Sequence, residues 1–284
     1  AAKKEGLEQS GILELWSADG DIAPLGGLAN LKSWLQRFRV GWSDHAKSLG
    51  LGPPRGVLLV GVQGCGKSLA AKTIAHEWGL PLVRLDPGRL YDKYIGESER
   101  HLRNAFATAE ALSPLVLWID EIEKVFAAGG SESDGGLGRR LFGSFLTWMQ
   151  EKKEAVFVAA TSNDLSAVPP ELLRKGRFDE IFFVDLPGAP ERREILAIHL
   201  RLRRQDPAVF DLDILTEATE GMSGAEIEQA VVAALYGMLA ERETRLTTPR
   251  LLLEIGRTVP LSRSRREQVT ALQALARERF VLAG

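Results

Sequence analysis

The stretch "GVQGCGKSLAAKTIAHEW", residues 61–78, decides the fold. A glycine-rich turn leads into Lys67 and Ser68 and then into an amphipathic pattern, and the apolar run Val57–Val60 stands directly before it. A buried strand, this turn and a helix, in that order, match the phosphate-binding pattern G-x-x-x-x-G-K-[ST]. Glycines let the backbone curl so that its N–H groups face an anion, and the start of a helix adds partial positive charge. The stretch therefore predicts a nucleotide site, where the alternative is a turn that merely needs glycines.

Each residue type in this loop has a chemical role. We expect Lys67 to reach the β- and γ-phosphates and the Ser68 hydroxyl to ligate Mg²⁺. Cys65, the one cysteine of the chain, has two interpretations. It is either a redox switch, since a helix N-terminus and a nearby lysine favour the thiolate, or a small side chain that fits the turn. The predicted nucleotide-binding residues of this region are Gly61, Gly64, Cys65, Gly66, Lys67, Ser68 and Leu69.

Composition limits the class of protein. The chain has 284 residues, of which 45% are hydrophobic and 26% charged, and its formal net charge is −2. This balance gives no electrostatic reason to expect a nucleic acid or a membrane surface as the main partner. One cysteine permits no internal disulfide, the four histidines show no metal-ligand spacing, and neither a signal peptide nor a membrane-spanning run is visible. We expect a soluble protein in a reducing compartment, the cytoplasm or an equivalent such as the plastid stroma.

Short apolar runs alternate with helical patterns, which predicts a parallel sheet with helices on both sides. The predicted strands are Val57–Val60, Leu82–Leu85, Leu115–Ile119, Val156–Ala160 and Ile181–Val184. The predicted helices are Ser68–Trp78, Ser98–Leu112, Leu137–Glu151, Pro190–Arg204, Asp211–Thr219 and Ser223–Arg242, followed by two weaker ones at Thr248–Gly256 and Ser264–Leu282.

The strand pattern ends near residue 188, where we place a domain boundary. Residues 20–188 are predicted to form an α/β nucleotide-binding domain. Residues 189–284 are predicted to form a small helical lid domain with a C-terminal extension. Residues 1–19 are expected to be a lead-in left from a missing N-terminal region, since the chain opens without methionine.

A second acidic site is predicted where "LVLWIDEIE", residues 115–123, ends in Asp120 and Glu121. Ligands of parallel sheets bind at strand ends, so Asp120 is expected to hold Mg²⁺ and Glu121 to polarise the attacking water. Asn163 in "ATSND" follows another apolar strand and is expected to orient that water. The alternatives are solvated loop acids and a polar turn residue.

These pieces together resemble the AAA+ ATPases, in the classical AAA branch that includes katanin and spastin. The resemblance covers about residues 20–245 and is carried by "LLVGVQGCGKS", "YIGESER", "LWIDEIE", "ATSND" and "ELLRKGRFD". "SGILE", "LGGLANLKSWL", "FLTWMQEK" and "TVPLS" further resemble an uncharacterised AAA family of algal plastids and cyanobacteria. The resemblance implies a P-loop fold with a five-stranded parallel sheet and a helical lid, with ATP bound between them. It also implies a homo-oligomeric ring, a hexamer, in which the neighbouring subunit completes each active site.

In this family an arginine finger reaches the neighbour's γ-phosphate, and Arg177 in "RKGRFD" matches it. A cation supplied in trans stabilises charge on the transferred phosphoryl group. Arg174 is a second candidate, and the alternative for Arg177 is a surface pair with Asp179. The family carries another arginine three residues after the finger, where this chain has Glu180. That departure implies slower hydrolysis or a rearranged contact.

The resemblance also implies which residues cradle adenine and ribose. An apolar side chain covers the face of a base, and glycine lets backbone approach closely. His199 standing alone would more often be an ordinary helix-face histidine. The implied residues are Leu25 and Gly26 in "PLGGL", Ile195 and His199 in "EILAIH", and Gly224 and Ala225 in "SGAEIEQ".

In AAA rings that thread proteins, a pore loop with an aromatic residue, an apolar residue and glycine grips the substrate. Tyr94, Ile95 and Gly96 match that order, and the alternative is that Tyr94 packs at a helix entrance. The leading hypothesis is a Mg·ATP-hydrolysing ring that remodels or unfolds an unknown protein client. The second is an ATP-controlled assembly switch or scaffold without threading. A nucleic-acid motor is disfavoured, because neither a basic pore nor a reader domain is evident.

Overall fold

The computed structural model describes residues 11–16, 23–90, 95–127, 136–174, 176–277 and 279–284. Contacts divide the chain into two compact units. The first unit comprises the described parts of 1–22, 33–60 and 71–182, and the second comprises 23–32, 61–70 and the described parts of 183–284. The phosphate-loop stretch 61–70 therefore belongs to the unit that also holds the helices after residue 188.

A mostly parallel sheet runs through the chain. In the first unit the strand order is β1-β3-β4-β5-β2 with β6 next to β2, and β6 continues into the second unit, where β7 lies beside it. Strand β1 is antiparallel to β3, whereas the pairs β3–β4, β4–β5 and β2–β5 are parallel. The strands are β1 Leu13–Trp16, β2 Gly56–Gly61, β3 Leu82–Leu85, β4 Leu115–Ile119, β5 Val156–Ser162, β6 Glu180–Val184 and β7 Val281–Leu282.

Helices follow the strands in the first unit and dominate the second. Several single-turn 3₁₀ helices also occur, among them Arg39–Trp42. The helices that begin before residue 183 are α1 Ala29–Phe38, α2 Asp44–Ser48, α3 Lys67–Trp78, α4 Ile95–Ala111, α5 Ile122–Ala127 and α6 Leu137–Glu151. Those of the second unit are α7 Ala189–Leu202, α8 Leu212–Ala218, α9 Gly224–Ala240, α10 Thr248–Arg257, α11 Leu261–Ser264 and α12 Arg266–Arg277.

The α/β fold with its five predicted strands is confirmed, because each run lies within β2 to β6. Strands β2, β4 and β5 are buried along their whole length, as expected of strands covered on both faces. Strand β1 was not predicted, and it lies within the stretch 1–19 assigned to a lead-in. It stands at one end of the strand order, and only Leu13 of its four residues is buried.

The helix predicted over Ser264–Leu282 is observed only in part, as α12, and its predicted C-terminal bound was wrong. Helix α11 ends at Ser264, α12 ends at Arg277, and the chain then enters β7. The backbone N–H groups of Arg279 and Phe280 both bond the carbonyl of Ala276, which ends the helical path. Sequence periodicity misses this change because β7 forms through a partner almost a hundred residues earlier in the chain.

The second unit has its own apolar core, packed between α7, α8, α9 and α10. Helix α9 begins at a capping box, in which Ser223 and Glu226 bond each other's backbone N–H groups. This cap fixes the turn that carries Gly224 and Ala225. Among the described residues, no helix has the length and apolar content that crossing a bilayer requires. The core residues are Leu196, Leu200, Phe210, Leu215, Met222, Ile227, Ala230, Val231, Ala234, Leu246, Leu251 and Ile255.

Candidate functional site

The loop 61–66 has the backbone that its glycines permit. Gly64 and Gly66 have φ of 78° and 89°, in the region that only glycine adopts readily. Helix α3 starts directly after them, at Lys67, so the partial positive charge of a helix N-terminus lies at the loop. The structure thus combines left-handed glycines with a helix N-terminus, the arrangement suited to an anion.

Lys67 is buried and lies over its own loop. Its side chain is 5% exposed, and Nζ donates to the carbonyl oxygens of Gly61 and Val62 at 2.9 and 2.7 Å. The charge is therefore held at the loop instead of extending into solvent. Ser68 and Leu69 follow in the first turn of α3 and are both partly buried.

The start of α9 lies against one side of the loop. Ala225 N donates to the carbonyl oxygen of Gly64 at 3.0 Å. A Cβ atom at Gly64 would lie 3.0 Å from Ser223 Oγ and 3.1 Å from Ala225 Cβ. Gly64 therefore lets the turn at 223–225 approach the loop backbone closely.

The predicted base-binding residues also gather within the second unit. A Cβ atom at Gly66 would lie 3.5 Å from Leu25 Cδ1, and one at Gly26 would lie 2.8 Å from Ile195 Cγ1. Ile195 Cδ1 is in turn 3.8 Å from the corresponding position at Gly224. The structure thus brings Leu25, Gly26, Ile195 and the 224–225 turn to the phosphate loop.

His199 lies one turn after Ile195 on α7. Its Nδ1 atom is 3.4 Å from Arg203 Nη1 and 3.8 Å from Glu228 Oε1. Burial lowers the pKa of His199 below its ordinary value; Glu228 opposes this shift and Arg203 adds to it. The ring is therefore neutral at pH 7, a form that can stack on or hydrogen-bond to a base.

Cys65 is partly buried within the loop. Burial raises the pKa of its thiol to about 12; Lys67 opposes the shift, whereas Asp185 and Glu226 add to it. The thiol is therefore neutral at pH 7. This favours the interpretation of Cys65 as a small side chain and counts against the redox switch, which needs a thiolate.

Cys65 is expected to react slowly with alkylating reagents. With a pKa about three units above that of a free thiol, its thiolate fraction at pH 8 is roughly a thousandfold smaller, and the rate is expected to fall in proportion. The rate should rise about tenfold per pH unit between pH 7 and 10, since more thiolate forms. The pseudo-first-order rate in the folded chain measures this, with the urea-unfolded chain as control. Alkylation at the unfolded rate would show that the thiol is not shielded.

Gly61 has a structural role of its own. Its φ is 151°, and a Cβ atom there would overlap the carbonyl oxygen of Val184 in β6. That same carbonyl accepts a hydrogen bond from Val62 N at 3.0 Å. The close approach fixes where the phosphate loop leaves the sheet.

Gly61→Ala is expected to lower the free energy of unfolding by about 2–4 kcal/mol, because the backbone of β6 must shift. Gly79→Ala is the matched control: Gly79 also has positive φ, 65°, but nothing lies within 4 Å of an added Cβ. It is expected to cost about 1 kcal/mol, for backbone strain alone. Urea titrations of both variants make the comparison. Equal losses would mean that crowding at Gly61 contributes nothing.

The acidic pair lies in the first unit, where β4 and β5 end at the same edge. The register places Ile119 opposite Ala160, so the residues that follow both strands are neighbours. Thr161, 1% exposed, joins them. Its hydroxyl donates to Asp120 Oδ1 at 2.6 Å and accepts from Glu121 N at 3.0 Å.

Glu121 is held by two side chains. Asn163 Nδ2 donates to Oε1 at 2.8 Å, and Lys124 Nζ lies 2.5 Å from Oε2. The backbone of Glu121 has a positive φ of 51°, a conformation that costs a non-glycine residue roughly 1–3 kcal/mol and that occurs at functional sites. The hydrogen bond to Glu121 raises the pKa of Lys124. The structure therefore fixes the direction in which this carboxylate points.

Three residues of this cluster were not predicted: Thr161, Lys124 and Glu123. Glu123 is 6% exposed, its Oε1 accepts from Asn163 N at 3.0 Å, and its Oε2 has no partner among the described residues. The sequence alone could have indicated Thr161, because it is a polar residue between the apolar run 156–160 and "SND". The roles of Glu123 and Lys124 depend on where helix α5 begins and leave no such signal.

Arg177 is partly buried, and its Nη1 donates to the carbonyl oxygen of Glu171. The proposed surface pair with Asp179 finds no support, because that carboxylate accepts from the backbone N–H groups of Arg55 and Gly56 at 2.5 and 2.9 Å. Glu180 begins β6, and its carboxylate accepts from Ile181 N. In the described part of the chain, the guanidinium of Arg177 thus bonds backbone and not the carboxylate of Asp179.

The remaining predicted residues are those of the pore loop, 94–96, and Arg174. Tyr94, the aromatic residue of the predicted pore loop, lies outside the described residues. Ile95 and Gly96 form the first residues of α4. Arg174, the second finger candidate, is exposed.

The residues present fit the groups that the motif implies. Ser68 and Asp120 offer a hydroxyl and a carboxylate, the hard oxygen donors that Mg²⁺ prefers. The left-handed glycines, the helix start and Lys67 offer N–H donors and a cation to phosphates. In the described part of the chain, no cluster of histidine, cysteine and carboxylate side chains forms a separate metal site.

Comparisons with known proteins agree with the motifs. Residues 57–186 match the family described as "ATPase family associated with various cellular activities (AAA)". The AAA domain-containing protein ycf46 of Guillardia theta is 45% identical over 273 residues, which are 95% of this chain and 54% of that protein. Its counterpart in Trieres chinensis is 43% identical over 275 residues, 96% of this chain and 55% of that protein. The proteasome-activating nucleotidase of Pyrococcus abyssi is 35% identical over 255 residues, 86% of this chain and 64% of that protein.

A solved structure of the FIGL-1 AAA domain superposes with a TM-score of 0.74, covers 98% of this chain and 95% of that domain, and is 22% identical in sequence. That likeness shows the fold. The chain spans about half the length of the two ycf46 proteins it matches. The resemblance inferred from the motifs is confirmed: the chain carries an AAA domain, at residues 57–186.

Proposed function

We propose that the chain binds Mg·ATP through residues 61–69 and hydrolyses it. The observation that carries the proposal is the phosphate loop, with Gly64 and Gly66 in left-handed conformations, buried Lys67 above it and the 223–225 turn bonded to Gly64. This geometry offers backbone N–H groups and one cation to a polyphosphate.

The acidic residues supply the hydrolytic chemistry in this proposal. Strand β2, which the loop follows in the chain, is parallel to β5 with Val60 opposite Ser162, so β2, β4 and β5 end at one edge. Ser68 and Asp120 would hold Mg²⁺, which would supply positive charge beside the phosphates when bound. Glu121 takes the proton from the attacking water, and Asn163 keeps its carboxylate oriented. The Thr161 hydroxyl fixes the positions of the Asp120 carboxylate and the Glu121 backbone, because it hydrogen-bonds to both.

The base and ribose are proposed to bind among Leu25, Gly26, Ile195, His199 and the 224–225 turn. The contacts of Gly26 with Ile195, and of Gly66 with Leu25, support this assignment, since they bring apolar side chains next to the phosphate loop. A neutral His199 adds an aromatic ring and a hydrogen-bonding nitrogen.

We further propose a homo-oligomeric ring, a hexamer, in which Arg177 acts on the nucleotide of the neighbouring subunit. Arg177 is partly buried, and its guanidinium donates to the carbonyl oxygen of Glu171. This contact orders the guanidinium before a neighbour's phosphate binds to it, which supports the proposal. Glu180, where the family carries a second arginine, is expected to slow the step, because one cation fewer faces the developing charge.

Two functions for the hydrolysis follow from the sequence. The first is remodelling or unfolding of a protein client by pore loops that contain Tyr94, Ile95 and Gly96. The name of the Pyrococcus abyssi relative, a proteasome-activating nucleotidase, favours this one. The second is an ATP-controlled assembly switch, favoured by Glu180.

Adding an unfolded protein is expected to raise the ATPase rate of the chain several-fold, and Tyr94→Ala is expected to abolish that rise while the basal rate stays. Tyr94→Phe keeps the ring and serves as the matched control. Steady-state phosphate release measures all three. If nucleotide changes the assembly size while Tyr94→Ala behaves as wild type, the switch replaces the remodeller. Stimulation by DNA or RNA that is lost steeply as salt rises would favour a nucleic-acid motor instead.

A further inference from the structure

A four-residue segment of the second unit, 281–284, lies at the start of α1. Ala283 is completely buried, whereas the side chains of Val281 and Leu282 are 44% exposed. Ala283 N donates to the carbonyl oxygen of Phe183 in β6 at 2.9 Å. The segment is thus held by its backbone more than by apolar side chains.

The same segment caps α1. The carbonyl oxygen of Ala283 accepts from the backbone N–H groups of Asn30 and Leu31 at 3.0 and 3.1 Å. These are first-turn N–H groups, which have no partner within their own helix. The side chain of Asn30 adds a second link, because its Nδ2 donates to the carbonyl oxygens of Leu282 and Gly284, both at 3.0 Å.

The turn that precedes α1 carries the candidate base-binding residues. Gly27 N donates to Glu194 Oε2 at 2.8 Å and Leu28 N to Glu191 Oε1 at 3.3 Å, so the turn is tied to α7 on one side. Gly284 packs against the Glu191 carboxylate, where a side chain on Gly284 would collide. The 281–284 segment therefore reaches the turn 25–28 through both α1 and Glu191.

A second path runs through β6. The carbonyl oxygen of Phe183 accepts from Ala283 N, and the next carbonyl, that of Val184, accepts from Val62 N in the phosphate loop. Consecutive residues of one strand thus bond the 281–284 segment on one edge and the loop on the other. The 281–284 segment is therefore bonded to α1, which follows the 25–28 turn, and to β6, which bonds the phosphate loop. These are the two parts of the proposed nucleotide pocket.

We propose that the 281–284 segment, gripped by Asn30, is a positioning element for the nucleotide. It fixes the backbone of the 25–28 turn so that Leu25 and Gly26 meet the base in a set geometry. The proposal rests on the proposed function, since it concerns the same pocket. Asn30 touches no phosphate and no acidic residue of the 120–124 turn in this account, so it acts on affinity and leaves the chemical step alone.

A double-mutant cycle on nucleotide affinity tests the proposal. The variants are Asn30→Ala, a chain that stops at Phe280, and the two changes combined. The matched control is Asp211→Ala, which removes the side-chain cap of α8, bonded to Ile214 N at 3.1 Å, elsewhere in the same unit. Binding of Mg·ATP is measured by titration calorimetry, kcat by phosphate release, and folding by thermal unfolding.

Asn30→Ala is expected to weaken Mg·ATP about fivefold and the shortened chain about tenfold, because local hydrogen bonds that order the turn are lost. Asn30→Ala in the shortened chain is expected to add less than about twofold, because its partners are already gone. The kcat at saturating ATP is expected to stay within about twofold throughout, and Asp211→Ala to leave Kd unchanged while it lowers Tm by a few degrees.

Four outcomes would contradict either this proposal or the proposed function on which it rests. An unchanged Kd in both single variants overturns the proposal, and so do losses that simply add in the double variant. A Kd that rises equally in Asp211→Ala also overturns it, because the effect would then follow general stability. Failure of the wild-type chain to bind Mg·ATP overturns the proposed function itself, which the other outcomes leave in place.

Discussion

Glu121→Gln is expected to bind Mg·ATP as the wild-type chain does and to hydrolyse it at least about 100-fold more slowly. The substitution keeps the shape of the side chain and leaves Lys67 and Ser68 untouched, whereas an amide cannot take a proton from water. Asn163 Nδ2, which donates to Glu121 Oε1, keeps an acceptor in the amide oxygen. Affinity and turnover should therefore separate.

Glu123→Gln is the matched control for this prediction. Glu123 stands two residues further along the chain, in the first turn of α5, and its Oε1 only has to accept from Asn163 N. An amide oxygen does this as well, so turnover is expected to change by less than about fivefold. Binding by titration calorimetry and phosphate release under saturating ATP measure both variants. Normal turnover in Glu121→Gln would remove Glu121 from the role of general base.

Arg177→Ala is expected to lose about a thousandfold in turnover, the usual scale for an arginine finger, and to regain activity when mixed with Glu121→Gln. In a mixed ring, an Arg177→Ala subunit retains Glu121 and receives Arg177 from its Glu121→Gln neighbour. Neither variant alone has a complete site. The recovered rate should rise with the share of mixed interfaces.

Arg174→Ala serves as the control for the finger, since Arg174 is exposed and stands three residues earlier. It is expected to keep most of the activity. The measurement is the ATPase rate across mixing ratios, with mixed assembly verified by native mass spectrometry. If verified mixed rings stay inactive, Arg177 does not act in trans. If Arg174→Ala has the larger loss, the finger has been assigned to the wrong arginine.

The sheet was predictable from sequence because its central strands are buried on both faces. Val57–Val60, Leu115–Ile119 and Val156–Ala160 are apolar almost throughout, and each proved to be a strand. The phosphate loop was predictable for a different reason. Its backbone needs glycines at positions with positive φ, and these glycines stand close together in the sequence. Helix α6 was predicted with its observed bounds, since Gly136 precedes it and a regular apolar stripe runs along it.

Other features depend on contacts between distant parts of the chain. Strand β7 forms because Ala283 N donates to the carbonyl oxygen of Phe183 in β6. The residues that precede β7 in the sequence have a helical pattern, so they do not predict a strand. The orientation of Glu121 by Asn163 requires β4 and β5 to be adjacent and in register. The sequence identified both side chains, but it assigned Asn163 to the water and missed its bond to the carboxylate. The neutral state of Cys65 likewise follows from burial, whereas its sequence neighbours suggest a thiolate.

The most direct test of the account is calorimetric titration of the purified, folded chain with Mg·ATP, alongside Lys67→Met, which keeps the length of the side chain and removes its charge. Saturable binding with a Kd below about 1 mM is expected in the wild-type chain, and at least about tenfold weaker binding in the variant. No binding to the wild-type chain at millimolar Mg·ATP, or equal affinity in the two chains, would contradict it.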